Sequence, residues 1–222
     1  MSVLNQLDWS VKKYGTILAD PPWRFQNRTG KMAPEHKRLH RYHTMTIEEI
    51  KALPIKNMAT DKSHLYLWVP NALLSWGLEV MQVWGFKYKG NLIWYKVRKD
   101  GGPDGRGVGF YFRNVTELVL FGVRGNLRTL KPGRRQVNII TSRKREHSRK
   151  PDELYDIIEA CSPGPYLELF ARHNRKGWAQ WGDELTGESK RYEYPATGTN
   201  GCTQLKLIER RTSYGTKHHA KR

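Results

Sequence analysis

The chain has 222 residues, enough for one domain with one sizeable core. Lysine and arginine number 39 against 21 acidic residues, a formal net charge of +18, which calls for a polyanionic partner, nucleic acid first among them. No long apolar run is present, which excludes a membrane-spanning helix, and the basic residues fall in loops rather than along one amphipathic helix.

In chain order, residues 16–19 form a short apolar run that ends in Asp20 and two prolines, the pattern of a buried strand with a polar tip. Residues 24–43 are basic and nearly free of apolar side chains and are expected to be a long loop. Thr46 and Glu49 make a capping box for a short helix over 47–53, stopped by Pro54. A strand is predicted over 64–69. A helix is predicted over 71–84 with Gly85 as its stop, and a further strand over 92–96. Residues 98–109, rich in glycine and charge, are expected to be a mobile loop. Strands follow over 116–123 and 137–141, separated by a basic loop over 126–135. A third basic loop, 142–150, precedes a helix over 152–161 that starts after Pro151 with acid in its first turn. Strands over 166–171 and 178–181 complete the pattern. Residues 1–185 are expected to be the folded domain and 186–222 a basic extension, partly disordered.

Strands alternating with helices predict an α/β fold with a mostly parallel sheet. Ligands of such sheets sit beyond the carboxyl ends of the strands. Asp20 falls at one such end, and Arg172-His173-Asn174 at another. Cys161 and Cys202 are isolated and suggest neither a disulfide framework nor a metal cage. The eight histidines show no metal-ligand spacing, and no metal is expected. Residues 1–8 lack a charged segment followed by an apolar one, so no signal peptide is read and a cytoplasmic setting is expected.

Asp20-Pro21-Pro22-Trp23 suits one chemical problem. The amino nitrogen of adenine is a poor nucleophile because its lone pair is delocalised into the ring. Acceptors aimed at its two hydrogens favour a pyramidal nitrogen with a localised lone pair. A carboxylate and a backbone carbonyl are both acceptors, so Asp20 and the Pro21 carbonyl can take one hydrogen each. Consecutive prolines stiffen that geometry. Trp23 or Tyr42 can stack on the base or shape its pocket.

Several ordered segments carry a resemblance. They are ILADPPW (Ile17–Trp23), RYHTMT (Arg41–Thr46), LYLWVPN (Leu65–Asn71), LIWYK (Leu92–Lys96), ELVLFGVRG (Glu117–Gly125), RKPDELYDIIE (Arg149–Glu159), SPGPYLELFAR (Ser162–Arg172) and GWAQWGDE (Gly177–Glu184). On these the chain resembles the DPPW-type adenine N(6)-methyltransferases. That family includes the catalytic subunit of the eukaryotic messenger-RNA enzyme and many bacterial and phage DNA enzymes. The resemblance implies a Rossmann-like class I methyltransferase fold with circularly permuted motifs, and S-adenosylmethionine as methyl donor. It assigns Asp20, Pro21, Pro22 and Trp23 to the catalytic loop and Tyr42 to a gate beside cofactor and base. Trp94 and Lys96 border the target base. Asp20, Lys150, Glu168, Arg172, His173 and Asn174 are assigned to the cofactor. Asp183 and Glu184 fall where relatives often carry Asn-Gln near the adenosine. Glu117 is read as structural.

Three basic segments flank this site and are expected to contact phosphates. Among their cations are Arg38, Arg41, Arg143, Lys144 and Arg145. The compact chain, with no zinc finger or other appended RNA module, favours DNA over RNA as the partner. A monomer or homodimer is expected. Cytosine is disfavoured as the target base because the corresponding motif there more often begins with serine.

Overall fold

The computed structural model describes residues 12–24, 44–105, 111–143, 149–182 and 185. Its elements are β1 (Tyr14–Ala19), α1 (Ile47–Lys51), α2 (Ile55–Met58), β2 (Ala59–Val69), a 3₁₀ turn (Asn71–Leu73), α3 (Leu74–Val83), β3 (Lys87–Val97) and β4 (Thr116–Arg124). A second 3₁₀ turn (Pro132–Arg135), β5 (Ile139–Arg143), α4 (Glu153–Cys161), β6 (Tyr166–Leu169) and β7 (Trp178–Trp181) complete the order.

The seven strands form one sheet in the order β5-β3-β4-β2-β1-β6-β7. Only β4 runs against its neighbours; the other pairings are parallel. This is the α/β, mostly parallel sheet that the pattern predicts, and it agrees with the Rossmann-like fold that the resemblance implies. The pleat divides the apolar residues between two cores. Ile17, Ala19, Leu65, Leu67, Leu120 and Leu167 face α1–α3, whereas Leu18, Tyr66, Trp68, Val119 and Trp94 face α4. Ile17, Leu65 and Leu67 are fully excluded from solvent; burial of side chains of this size is worth about 1.5–3 kcal/mol each.

Several boundaries differ from the pattern for identifiable reasons. β2 begins five residues earlier than its apolar run, because its polar start still pairs: Tyr14 of β1 lies opposite Ala59. β5 is displaced two residues toward the C-terminus. Its register against β3 sets Ile139 opposite Ile93, while Val137 stays 64% exposed outside the strand. α2 was not expected, since four residues are too few to carry a helical period. The capping box of α1 is present, with the Thr46 hydroxyl accepting from the Glu49 N–H and the Glu49 carboxylate accepting from the Thr46 N–H. Gly85 follows α3 at φ 85°, a left-handed stop that favours glycine. The first half of the expected mobile loop is a closed turn, with the Arg98 N–H donating to Gly102 O (2.8 Å) and the Asp104 N–H to Lys96 O (2.9 Å).

Parallel pairing sets the carboxyl ends of β1, β2, β6 and β7 level: Ala19 lies beside Leu67 and Leu169, and Leu169 beside Trp181. Because β4 is reversed, its first residues, Thr116 and Glu117, reach the same rim, where Glu117 lies opposite Trp94. The topology thus gathers Asp20, Trp94, Lys96, Glu117 and the residues after β6 at one end of the sheet.

Candidate functional site

Asp20 leaves the end of β1, and the tetrapeptide is folded back at once. The Trp23 N–H donates to Pro21 O (2.8 Å) and the Met45 N–H to Pro22 O (2.8 Å), and a bridge between Trp23 and Met45 closes the loop. Each of the two proline carbonyls thus accepts one backbone hydrogen bond and keeps a second lone pair. Tyr42 lies outside the described residues.

Trp23 does not stand ready to stack on a base. It is only 5% exposed, packs in the core under α1–α3, and donates its indole N–H to Trp68 O (2.9 Å). Of the two roles weighed for this ring, shaping the pocket is the one its burial permits. Trp94 is also core, 3% exposed, with its N–H on the Ser142 hydroxyl (2.9 Å) and its ring edge-on to Trp68. It backs Trp68, which lines the cleft.

A charge chain runs across the rim. Lys150 Nζ lies 3.4 Å from Asp20 Oδ2 and 2.8 Å from Glu117 Oε2, and Glu117 Oε1 accepts from Lys96. Both ammonium groups also sit over indole faces, Lys150 over Trp68 at 4.5 Å and Lys96 over Trp94 at 4.8 Å. Burial alone would push the Glu117 carboxyl up, but Lys150 and Lys96 together hold it at about 2. Burial would likewise lower Lys150, yet Asp20 and Glu117 outweigh it and raise the pKa. Glu117, read as structural, is the carboxylate that pairs with both lysines. The sequence hides this because β4 runs backwards into the rim.

The second carboxylate has a different setting. Glu168 lies on β6 in register with Leu18 of β1 and Gln180 of β7. Its oxygens accept from the Tyr155 hydroxyl (2.7 Å) and the Gln180 amide (2.6 Å). Burial raises its pKa, those two donors oppose the rise, and Asp20 adds to it. Burial and the charge of Glu168 also raise the Tyr155 phenol. Gln180 further donates to His173 O and accepts from the Arg175 N–H, tying the segment after β6 to β7. Arg175 covers the Tyr155 ring at 4.4 Å and reaches Glu159. Tyr155, Arg175 and Gln180 were not foreseen. Only strand register and helix packing bring them to Glu168.

Between these walls lies a cleft of roughly 320 Å³, lined by Asp20, Trp68, Lys150, Tyr155, Glu168, Phe170, Arg172, His173 and Asn174 among others. Phe170 turns the chain at φ 64°, uncommon for a bulky residue, as the strand gives way to Arg172–Asn174. The cleft joins six predicted residues: Asp20, Lys150, Glu168, Arg172, His173 and Asn174. Lys96 reaches it through Glu117. Arg143 is exposed at the carboxyl end of β5, opposite Val97. Arg38, Arg41, Lys144, Arg145, Asp183, Glu184 and the 186–222 extension lie outside the described residues. Among the described residues, no group of three or more His, Cys, Asp or Glu stands together as metal ligands would, and no helix is long and apolar enough to cross a membrane.

The family pattern named MT-A70 matches residues 14–184. A probable N(6)-adenosine-methyltransferase, MT-A70-like, of Oryza sativa subsp. japonica is 34% identical over 179 residues, covering 79% of this chain and 23% of that protein. The N(6)-adenosine-methyltransferase catalytic subunit METTL3 of Homo sapiens is 32% identical over 83% of this chain and 30% of its own length. The type II methyltransferase M.MunI of a Mycoplasma species is 28% identical over 84% of this chain and 83% of its own. The chain thus spans about a quarter of the plant relatives it matches but most of M.MunI. With one pattern running from β1 through β7, the chain belongs to the MT-A70 family.

Proposed function

We propose that the chain is an S-adenosylmethionine-dependent methyltransferase acting on the 6-amino group of adenine in DNA. The observation that carries the reading is the placement of Asp20. It opens on a cleft shared with Glu168 and Arg172 and is tied through Lys150 to Glu117.

The cleft suits the methyl donor. Glu168 offers carboxylate oxygens to ribose hydroxyls, Arg172 a cation to the methionine carboxylate, and His173 and Asn174 further polar contacts. Bound there, S-adenosylmethionine supplies an electrophilic methyl group on a sulfonium. Asp20 and the second lone pair of the Pro21 carbonyl accept hydrogen bonds from the two amino N–H groups and localise the nitrogen lone pair. Lys150 holds Asp20 in place, and Glu117 holds Lys150. Trp68, backed by Trp94, lines the cleft with an apolar face. A base in a duplex must first leave the stack, because its amino group is engaged in pairing.

DNA rather than RNA draws its support from the likeness to M.MunI, which covers more than four fifths of both chains. The working form is taken to be a monomer or homodimer. The test is incubation with methyl-labelled S-adenosylmethionine and duplex DNA, single-stranded DNA or RNA. Label in DNA is expected. Label in RNA alone would reassign the polymer, and label in none, with the donor bound, would make the chain a non-catalytic nucleic-acid-binding subunit.

A further inference from the structure

Two large aromatic side chains in the segment between β3 and β4 have no place in the site or the core. Tyr111 is 94% exposed and Phe112 is 85% exposed, above the next most exposed large apolar residue described, Val137 at 64%. Their location is not arbitrary. The segment is anchored on both sides of one residue of the charge chain, since the Asp104 N–H donates to Lys96 O and the Lys96 N–H to Val115 O, each at 2.9 Å. Asn71, just past the end of β2, pins the next residue by donating its amide to Thr116 O (3.2 Å). Phe112 is three residues before Val115, the residue bonded to the Lys96 N–H, and lies at most about 11 Å from it. The surroundings are cationic. Lys99 is exposed on the turn after β3, where Arg98 is paired with Asp100 (2.8 Å), and Arg113, exposed beside Phe112, donates to Gly105 O (3.4 Å).

We infer that Tyr111 and Phe112 form a stacking platform that holds bases of the substrate strand next to the target adenine. The inference rests on the nucleic-acid reading of the site and adds to it a base-contacting element separate from the pocket. Every base offers a π-face, so aromatic stacking holds a strand without reading its sequence, while neighbouring cations take the phosphates. Two side chains offer far less surface than the roughly 800 Å² per partner of a stable protein interface, and they sit among cations that suit a polyanion. An element of this kind also fits the extrusion step, because a base removed from a stack leaves neighbours whose exposed faces need cover.

The experiment compares wild type with Y111A/F112A, Y111L/F112L and Y111W/F112W. Fluorescence anisotropy follows mixed-sequence single-stranded and duplex DNA over a salt series, and sedimentation gives the oligomeric state. Loss of stacking predicts affinity about 10- to 100-fold lower in the alanine and leucine variants and retained in the tryptophan variant. The slope of log affinity against log salt stays unchanged, because no phosphate contact is removed, and donor binding and thermal unfolding match wild type. Wild-type affinity in the alanine variant overturns the inference alone. A loss accompanied by a change in sedimentation overturns it in favour of a protein contact. Wild type that neither binds nor methylates DNA or RNA overturns the nucleic-acid reading, and this inference with it.

Discussion

The two walls of the cleft hold their carboxylates in opposite ways. On the β4 side, Glu117 is clamped by two ammonium groups and its pKa falls to about 2. On the β6 side, Glu168 is held by a phenol and an amide, both neutral, and its pKa rises. Asp20 stands between them. The contrast teaches that burial alone does not decide the fate of a carboxylate: the charge of its partners does. It also separates two tasks. The ionic wall fixes a lysine against the proposed catalytic carboxylate. The neutral wall leaves Glu168 lone pairs for the hydroxyls of a ligand.

The largest expected effect comes from the residue between the walls. Asp20→Ala removes one of two amine acceptors and lowers the methyl-transfer rate by roughly 10³-fold in a single-turnover assay. Activity within tenfold of wild type would remove Asp20 from the mechanism. Trp23→Ala acts on the fold instead, costing about 3–5 kcal/mol through a core cavity and a lost hydrogen bond to Trp68 O. Calorimetry should record Tm lower by about 10 °C; an unchanged Tm with weakened DNA binding would return Trp23 to the stacking role.

Substitutions on the two walls should separate in kinetics. Glu117→Gln frees Lys96 and Lys150 and lowers kcat by about 10-fold, with donor affinity near wild type. Glu168→Gln weakens donor binding by about 10-fold, with kcat retained within about threefold. Equal effects of both variants on both constants would erase the distinction between the walls.

The smallest effects are in pH dependence, where the signs oppose. The depressed Glu117 pKa gives stability that is present above the ordinary glutamate value. It is lost as pH falls through that value toward about 2. Glu117→Gln should flatten this acid limb in chemical denaturation. The raised Glu168 pKa works the other way: its contribution declines as pH rises from the ordinary value through the raised one, and Glu168→Gln removes that decline.

Much of this arrangement is legible in the linear chain. Apolar runs that end in Asp20 and Arg172 announce strands with polar tips, and Thr46 with Glu49 announces α1. What is hidden depends on pairing between distant segments. Glu117 enters the site because β4 is reversed, and Gln180 meets Glu168 because β7 pairs with β6 in that register. Tyr155 arrives through the packing of α4 on the sheet. Trp23 is open in the sequence for a related reason: a tryptophan after Asp20 can stack on a base or shape the pocket, and only the core that buries it favours the second.

The proposed chemistry meets its most direct test in nucleoside analysis of DNA treated with wild type and Asp20→Ala in the presence of S-adenosylmethionine. The expected result is N(6)-methyldeoxyadenosine with wild type and almost none with the variant. Methylated deoxycytidine, or equal adenine methylation by both proteins, would contradict it.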